Sequence, residues 1–345
     1  MTMGRRSALV HIGAGAVGLA TPAALRAGEA SPREGLIRIW GTRQMRPLLE
    51  AWIAAFRRTH ADINFLVDLR GTATAQFGLH MNVADIAVSG RQIYPYEYYG
   101  IYRRSQLLTR EVPVAIGSPD TPGKSTAIGV FVHPDNPLRE LSLDQLDGIF
   151  GAPRTGGWQR MEWVTDVARG AERNLRYWGQ LGLKGAWRNA PINPYGAPGV
   201  HPGGVSYFQT RVMGGADTWN ESLREYADRN RMLAAMRDDR FAIGYAALGY
   251  QAGSLRALAL RETPAGEAVS PSAATVGNFS YPLSRLAYIY LPPDTVQGDP
   301  APVPPHIRSF IEFALGAEGQ SAIARDSGYS RLTAPLVAEA LSALA

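Results

Sequence analysis

The 345-residue sequence contains no cysteine. That absence excludes disulfides, thiolate zinc sites, iron–sulfur ligation and a cysteine nucleophile. Charge of one sign is scarce as well. Thirty-five basic side chains stand against 30 acidic ones, a formal excess of +5. So small an excess gives no support to a nucleic-acid footprint. Beyond the N-terminal segment no apolar run approaches 18 residues, so no membrane span is expected in the mature chain. The six histidines (His11, His60, His80, His133, His201 and His306) form no His-Glu-x-x-His and no close ligand pair. No Gly-x-Ser-x-Gly elbow is present, because Ala87-Val88-Ser89-Gly90-Arg91 lacks the first glycine. Asp238-Asp239 reads as part of a solvated helical face. No catalytic set, metal or cofactor is expected. What the chain does have is 46% hydrophobic and 19% charged residues, the balance of a folded globular protein, with length for about two domains.

The N-terminus reads as an address. Arg5-Arg6 precedes a Gly/Ala-rich apolar run from Ala8 to Ala20, and small residues follow up to Ala30. A charged start, an apolar core and a small-residue cleavage point describe an export signal over residues 1–30. Arg5-Arg6-Ser7-Ala8-Leu9 resembles a twin-arginine signal. Removing residues 1–27 takes away three arginines and leaves 32 basic against 30 acidic side chains. Gly13-Ala-Gly15-Ala-Val-Gly18 also matches a dinucleotide-binding fingerprint. That motif requires an acid at the end of the next strand, and Gly41 stands there instead.

Along the mature chain, strands end repeatedly in small polar turns that open helices. Leu36–Trp40 ends at Gly41, and a helix follows with Leu48, Leu49, Trp52, Ile53 and Phe56 at helical spacing. Ile63–Leu69 runs into Gly71–Ala75, and Val83–Val88 into Ser89-Gly90-Arg91. Val112–Ile116, Ala127–Val132, Phe241–Tyr245 and Tyr281–Leu291 read as further strands. Ser142 with Gln145 is a capping pair for a short helix. Tyr207–Met213, Leu223–Met236 and Ile307–Gly328 read as helical. Residues 151–160 and 189–204 read as long loops. This is α/β organisation, with ligand chemistry expected at the strand ends.

Several phrases, in this order, resemble the PstS-like phosphate-binding proteins of ABC importers, the type II periplasmic solute-binding proteins. They are Val130–Leu138, Leu141–Gly151, Phe241–Tyr245, Tyr281-Pro282-Leu283-Ser284-Arg285, Phe310–Leu315 and Glu318-Gly319-Gln320. The resemblance implies a two-lobed α/β fold with a ligand cleft between the lobes. Residues 31–137 plus 279–345 would form lobe I and residues 138–278 lobe II. It also implies hinged closure around a solute.

The resemblance places the ligand against three strand-end turns and one second-lobe loop. The first turn is Thr42, Arg43, Gln44 and Met45, in which Gln44 replaces a hydroxyl. The second is Thr72, Ala73 and Thr74, which keeps both hydroxyl positions. The third is Ser89, Gly90 and Arg91, in which Gly90 replaces the carboxylate that takes the proton of hydrogen phosphate. The loop is Gly203, Gly204, Val205 and Ser206, and its phosphate-clamping arginine position falls near Gly199. These departures weigh against phosphate itself. Arg43 and Arg91 are the candidate sources of positive charge, with solvated surface as the alternative. Tyr195, Tyr207, Trp158 and Trp163 are candidate walls of a larger cleft, with ordinary packing as the alternative. The run Tyr94, Tyr96, Tyr98, Tyr99 and Tyr102 reads as a stacking surface or as lobe packing.

The expected function is that of an exported, periplasmic, monomeric solute-binding protein. It captures a small solute, an anion above all, for an ABC permease or a sensor. The alternative is a binding or scaffold protein of the same fold whose degenerate cleft engages a protein partner.

Overall fold

The computed structural model describes residues 35–345 apart from 122–123, 198–202, 251, 294, 297–298, 301, 327 and 345. The export-signal reading of residues 1–30, its glycine motif, Gly199 and His201 lie outside the described residues, as does the side chain of Tyr96.

Two five-stranded sheets organise the chain. In the first, strand β2 (Asn64–Asp68), β1 (Leu36–Gly41), β3 (Ile86–Ser89), the strand Leu286–Leu291 and β4 (Arg110–Ile116) lie side by side in that order. β1, β2 and β3 are parallel, whereas Leu286–Leu291 runs antiparallel to both β3 and β4. The second sheet holds Arg224–Glu225, Asn193–Gly196, Ala242–Ala247, β5 (Ile128–Val132) and Arg256–Ala257, again in spatial order. Each sheet has its own core. One core is built from residues 37–116 and 287–344, the other from residues 127–283. The molecule is therefore two-lobed, and the first lobe is made from both ends of the chain.

Helix α1 (Arg46–Phe56) shows how sequence produces this packing. Pro47 sits in its first turn, where a missing N–H costs nothing. Leu48, Leu49, Trp52 and Phe56 recur on one face and are buried. The Trp52 indole Nε1 donates to Gly319 O at 2.9 Å, tying α1 to the helix Ala317–Asp326 near the other end of the chain. Helix α2 (Thr72–His80) follows β2, and α3 (Pro95–Ser105) follows β3. In α4 (Leu143–Phe150) the expected capping pair is formed. Gln145 N donates to Ser142 Oγ at 3.2 Å, and Ser142 N to Gln145 Oε1 at 2.9 Å. Helix α5 spans Gly204–Val212 and α6 Arg229–Arg237.

Five expectations differ from the structure. The stretch 189–204 is not all loop, because Asn193–Gly196 is a strand that pairs with Ala242–Gly244. Leu223–Met236 is not one helix. Arg224–Glu225 pairs with Tyr195–Gly196, and α6 begins only after Asp228, whose carboxylate accepts from Arg231 N at 3.0 Å. The stretch 151–160 is not all loop, because Gly157–Gln159 pairs with Glu162–Val164 in a hairpin turned at Arg160, φ +54°. Tyr281–Leu291 is a strand only from Leu286. Its first part crosses between the lobes and is anchored by Tyr281 Oη donating to Ile128 O at 3.0 Å. Finally, β5 lies within the stretch 31–137 expected for lobe I, yet it is hydrogen-bonded into the second sheet. Membership changes between Ile116 and Ala127 and returns between Leu283 and Leu286. The two crossing segments run against each other, with Gly117 N donating to Arg285 O at 2.7 Å and Ile128 N to Leu283 O at 3.1 Å.

Trp52 is fully buried and bonded across the chain termini of the first lobe. Trp52→Ala is expected to cost about 3–5 kcal/mol of stability, read as a lowered denaturation midpoint in urea.

Candidate functional site

Because β1, β2 and β3 are parallel, their carboxyl ends open on one edge of the first sheet. Backbone hydrogen bonds stitch the three turns together there. Thr42 N donates to Val88 O at 3.0 Å and Gly71 N to Gly41 O at 2.9 Å. The expected first-lobe positions are thus neighbours. Across the cleft, Gly203 opens α5 at φ +92°, a backbone conformation that suits glycine.

A cavity of about 970 Å³ lies between the lobes. Its walls include Ala73 from the first turn of α2, Arg91 from the third turn and Ser206 from the first turn of α5. Each of these was an expected site position, and the structure brings them together. The remaining expected residues do not line it. Met45 is fully buried in the first core and Val205 is buried too.

The hydroxyls are mostly committed to their own turns. Thr74 Oγ1 donates to Gly71 O at 2.8 Å, Ser89 Oγ to Arg91 O at 2.7 Å and Ser206 Oγ to Gly203 O at 3.1 Å. Thr42 Oγ1 accepts from Gln44 N at 3.4 Å. Thr72 makes no such local bond. The first N–H groups of α2 and α5 have no intrahelical acceptors by the geometry of any helix, and they remain donors toward the cleft.

The expected cations also need correction. Arg43 is exposed, and its Nε donates to Leu69 O at 3.2 Å. Arg91 is buried and held by Glu97 through two hydrogen bonds, 2.7 and 2.9 Å, with its guanidinium 4.0 Å from the centre of the Tyr94 ring. Its charge is therefore already matched. The aromatic candidates divide. Trp158 lines the cavity and packs edge-on against Trp163 at 5.5 Å. Tyr195 is buried in a satellite core and donates to Asp239 at 2.9 Å. In the tyrosine run, Tyr94 and Tyr99 line the cavity, whereas Tyr98 is buried and donates to Glu111 at 3.2 Å.

Three residues of the crossing segments escaped sequence reasoning: Arg285 and Ser125 stand beside Gly90, and Lys124 reaches the first turn. Arg285 is 8% exposed and its Nη2 donates to Gly90 O at 2.8 Å. Its guanidinium lies 5.5 Å from the Tyr207 ring, and a Cβ added to Gly203 would come within 3.9 Å of Nη2. It therefore touches both lobes. Its Nε has no hydrogen-bond partner among the described residues. Burial pulls its pKa down from the ordinary value, opposed chiefly by the Tyr207 and Tyr329 hydroxyls. Burial likewise pushes the Tyr207 phenol up to about 12, so it stays protonated and donates to Ser284 O. Lys124 Nζ donates to Gln44 O at 3.2 Å. Ser125 Oγ occupies the place a Gly90 side chain would take, 2.0 Å from an ideal Cβ, with Gln44 Oε1 at 3.2 Å. No local pattern announces this approach, since residues 90, 125 and 285 meet only through the crossing of the chain.

The loss of the acid at Gly90 thus has a steric counterpart. Gly90→Asp is expected to lower the melting temperature, because the new Cβ collides with Ser125 Oγ. Adding Ser125→Gly to that variant is expected to restore most of the loss, which a double-mutant cycle of melting curves reads directly.

Among the described residues, no group of acidic or histidine side chains is placed to hold a metal ion, and no helix is long and apolar enough to cross a membrane. The chain is 25% identical over 343 residues to the phosphate-binding protein PstS of Pseudomonas aeruginosa, covering 98% of this chain and 97% of the relative. It is 27% identical over 296 residues to the protein SphX of Synechocystis, covering 85% and 77%. Among solved structures, PstS from Borrelia burgdorferi superposes with a TM-score of 0.54 at 16% identity, covering 87% of this chain and 100% of that one. An ABC-type phosphate transport receptor from Vibrio cholerae gives 0.52 at 17%, covering 85% and 99%. These two agree with the two-lobed fold. The PBP superfamily domain matches residues 26–318. With that match spanning most of its length, the chain belongs to the PBP superfamily, as a PstS-like periplasmic binding protein.

Proposed function

We propose that this protein is an exported solute-binding protein that captures an oxyanion-bearing solute in the cleft between its lobes and presents it to an ABC permease. The single observation that carries the anion is the state of Arg285. Three arginines are buried among the described residues: Arg91, Arg169 and Arg285. Arg91 pairs with Glu97 and Arg169 with Asp147. Arg285 has no carboxylate within 4 Å among the described residues, and the titratable groups that act on it are chiefly the Tyr207 and Tyr329 hydroxyls and the like-charged Arg91. A buried cation without a counter-ion is costly, and an anion bound beside it removes that cost.

The donors that would meet the anion are Arg285, the first N–H groups of α2 at Thr72 and Ala73, and those of α5 at Gly204 and Val205. The relatives named for phosphate support transport as the setting. The Gly90 position argues against hydrogen phosphate as the preferred species. Where the family resemblance expects a carboxylate to accept the ligand's proton, Ser125 and Gln44 stand instead. A donor-rich wall favours an anion that has shed its protons.

The test is calorimetric titration with sulfate and phosphate across pH 6 to 8. Sulfate is expected to bind with an affinity independent of pH, and phosphate to bind more tightly as pH rises through its second ionisation. Arg285→Gln is expected to weaken both by at least about thirtyfold, the scale of removing a buried charge partner. An affinity for phosphate that falls with rising pH, or an Arg285→Gln variant that binds as well as the parent, contradicts the reading.

A further inference from the structure

The cavity is far larger than an inorganic anion requires. Its lining includes Ala73 and Ser206 in the first turns of α2 and α5 and Arg91 in the third strand-end turn. It also includes Phe77 on α2, Tyr94 and Tyr99 on α3, and Trp158 and Met161 on the hairpin, interspersed with His80, Arg160 and Asp217. Phe77 is 66% exposed, Tyr99 51% and Trp158 49%. Large apolar side chains left this open around one cavity keep contact area in reserve for an occupant. A volume of about 970 Å³ sits at the upper end of what organic ligands fill.

The hairpin makes this gallery a product of both lobes. Met161, beside its turn, packs against the first-lobe cluster that includes Ala75, Leu79 and Tyr98. Trp158 is held in place by the edge-on contact with Trp163. Aromatic side chains of both lobes therefore line one cavity, and their faces suit a flat apolar body.

We infer that the solute is an organic oxyanion with an aromatic body, its anionic head beside the starts of α2 and α5 and its ring against Trp158, Phe77 and Tyr99. This rests on the anion-capture reading and adds the class of ligand to it.

Calorimetry with four probes separates the two. Phenyl phosphate is compared with inorganic phosphate, and benzenesulfonate with sulfate, at one pH. Each aryl anion is expected to bind at least tenfold more tightly than its inorganic counterpart. Trp158→Ala and Phe77→Ala, both at exposed positions that folding does not need, are each expected to pull that ratio at least threefold toward one. Arg285→Gln is expected to weaken all four probes and leave the ratio intact. Inorganic anions that bind as tightly as the aryl ones, or a ratio that ignores both aromatic substitutions, overturn the aromatic inference while anion capture stands. Failure of all four probes to bind overturns both.

Discussion

A guanidinium buried where the chain crosses twice between its lobes is the constraint around which the rest is arranged. Arg285 closes the second crossing segment, immediately before the strand Leu286–Leu291 enters the first sheet. Its own carbonyl accepts from Gly117 N of the first crossing, and its side chain donates to Gly90 O at the end of β3. The same guanidinium faces Tyr207 of α5 in the other lobe. Backbone and side chain of one residue thus hold the two crossings, a strand-end turn and the opposite helix in register. Any movement of one lobe on the other changes what this cation touches, which makes its solvation the natural link between ligand and hinge.

The chain treats its other buried arginines differently. Arg91 and Glu97 form a two-point pair, and Asp147 receives Arg154 through two bonds and Arg169 as well. Such pairs satisfy charge within the protein and set local geometry. Arg285 has a single carbonyl and two aromatic neighbourhoods in place of an acid. In a protein that neutralises buried arginines elsewhere, the exception falls where the crossing segment meets the end of β3 and α5.

Much of the architecture was legible in the sequence. Periodicity located β1, α1, β4 and β5 to within a few residues, and the Ser142–Gln145 pair announced α4, because these signals are local. The strand-end turns were legible for the same reason. What escaped was whatever depends on the crossing. Ser125 and Arg285 are 160 positions apart in the chain, and nothing in either segment states that both approach Gly90. The lobe boundary suffered likewise, since β5 reads as a strand but its partners lie beyond residue 240. Arg91 was legible as a cation, yet its neutralisation by Glu97 required α3, whose tyrosine-rich start gave no clear helical signal.

The division of labour at the site follows from where hydroxyl protons go. Thr74, Ser89 and Ser206 donate to carbonyls of their own turns, which stiffens the turns and removes three donors that the resemblance assigned to ligand. On the proposed reading, backbone N–H groups, the Thr72 hydroxyl and Arg285 are left to hold an anionic head. Such donors recognise charge and tetrahedral or planar oxygens alike, and they discriminate little between one oxyanion and another. Discrimination must then come from elsewhere in the cleft. In that reading the aromatic side chains of α2, α3 and the Trp158 hairpin supply it, through the body of the ligand. The glycine at position 90 and the aromatic lining of the cavity are, on the same proposed reading, two parts of one specificity.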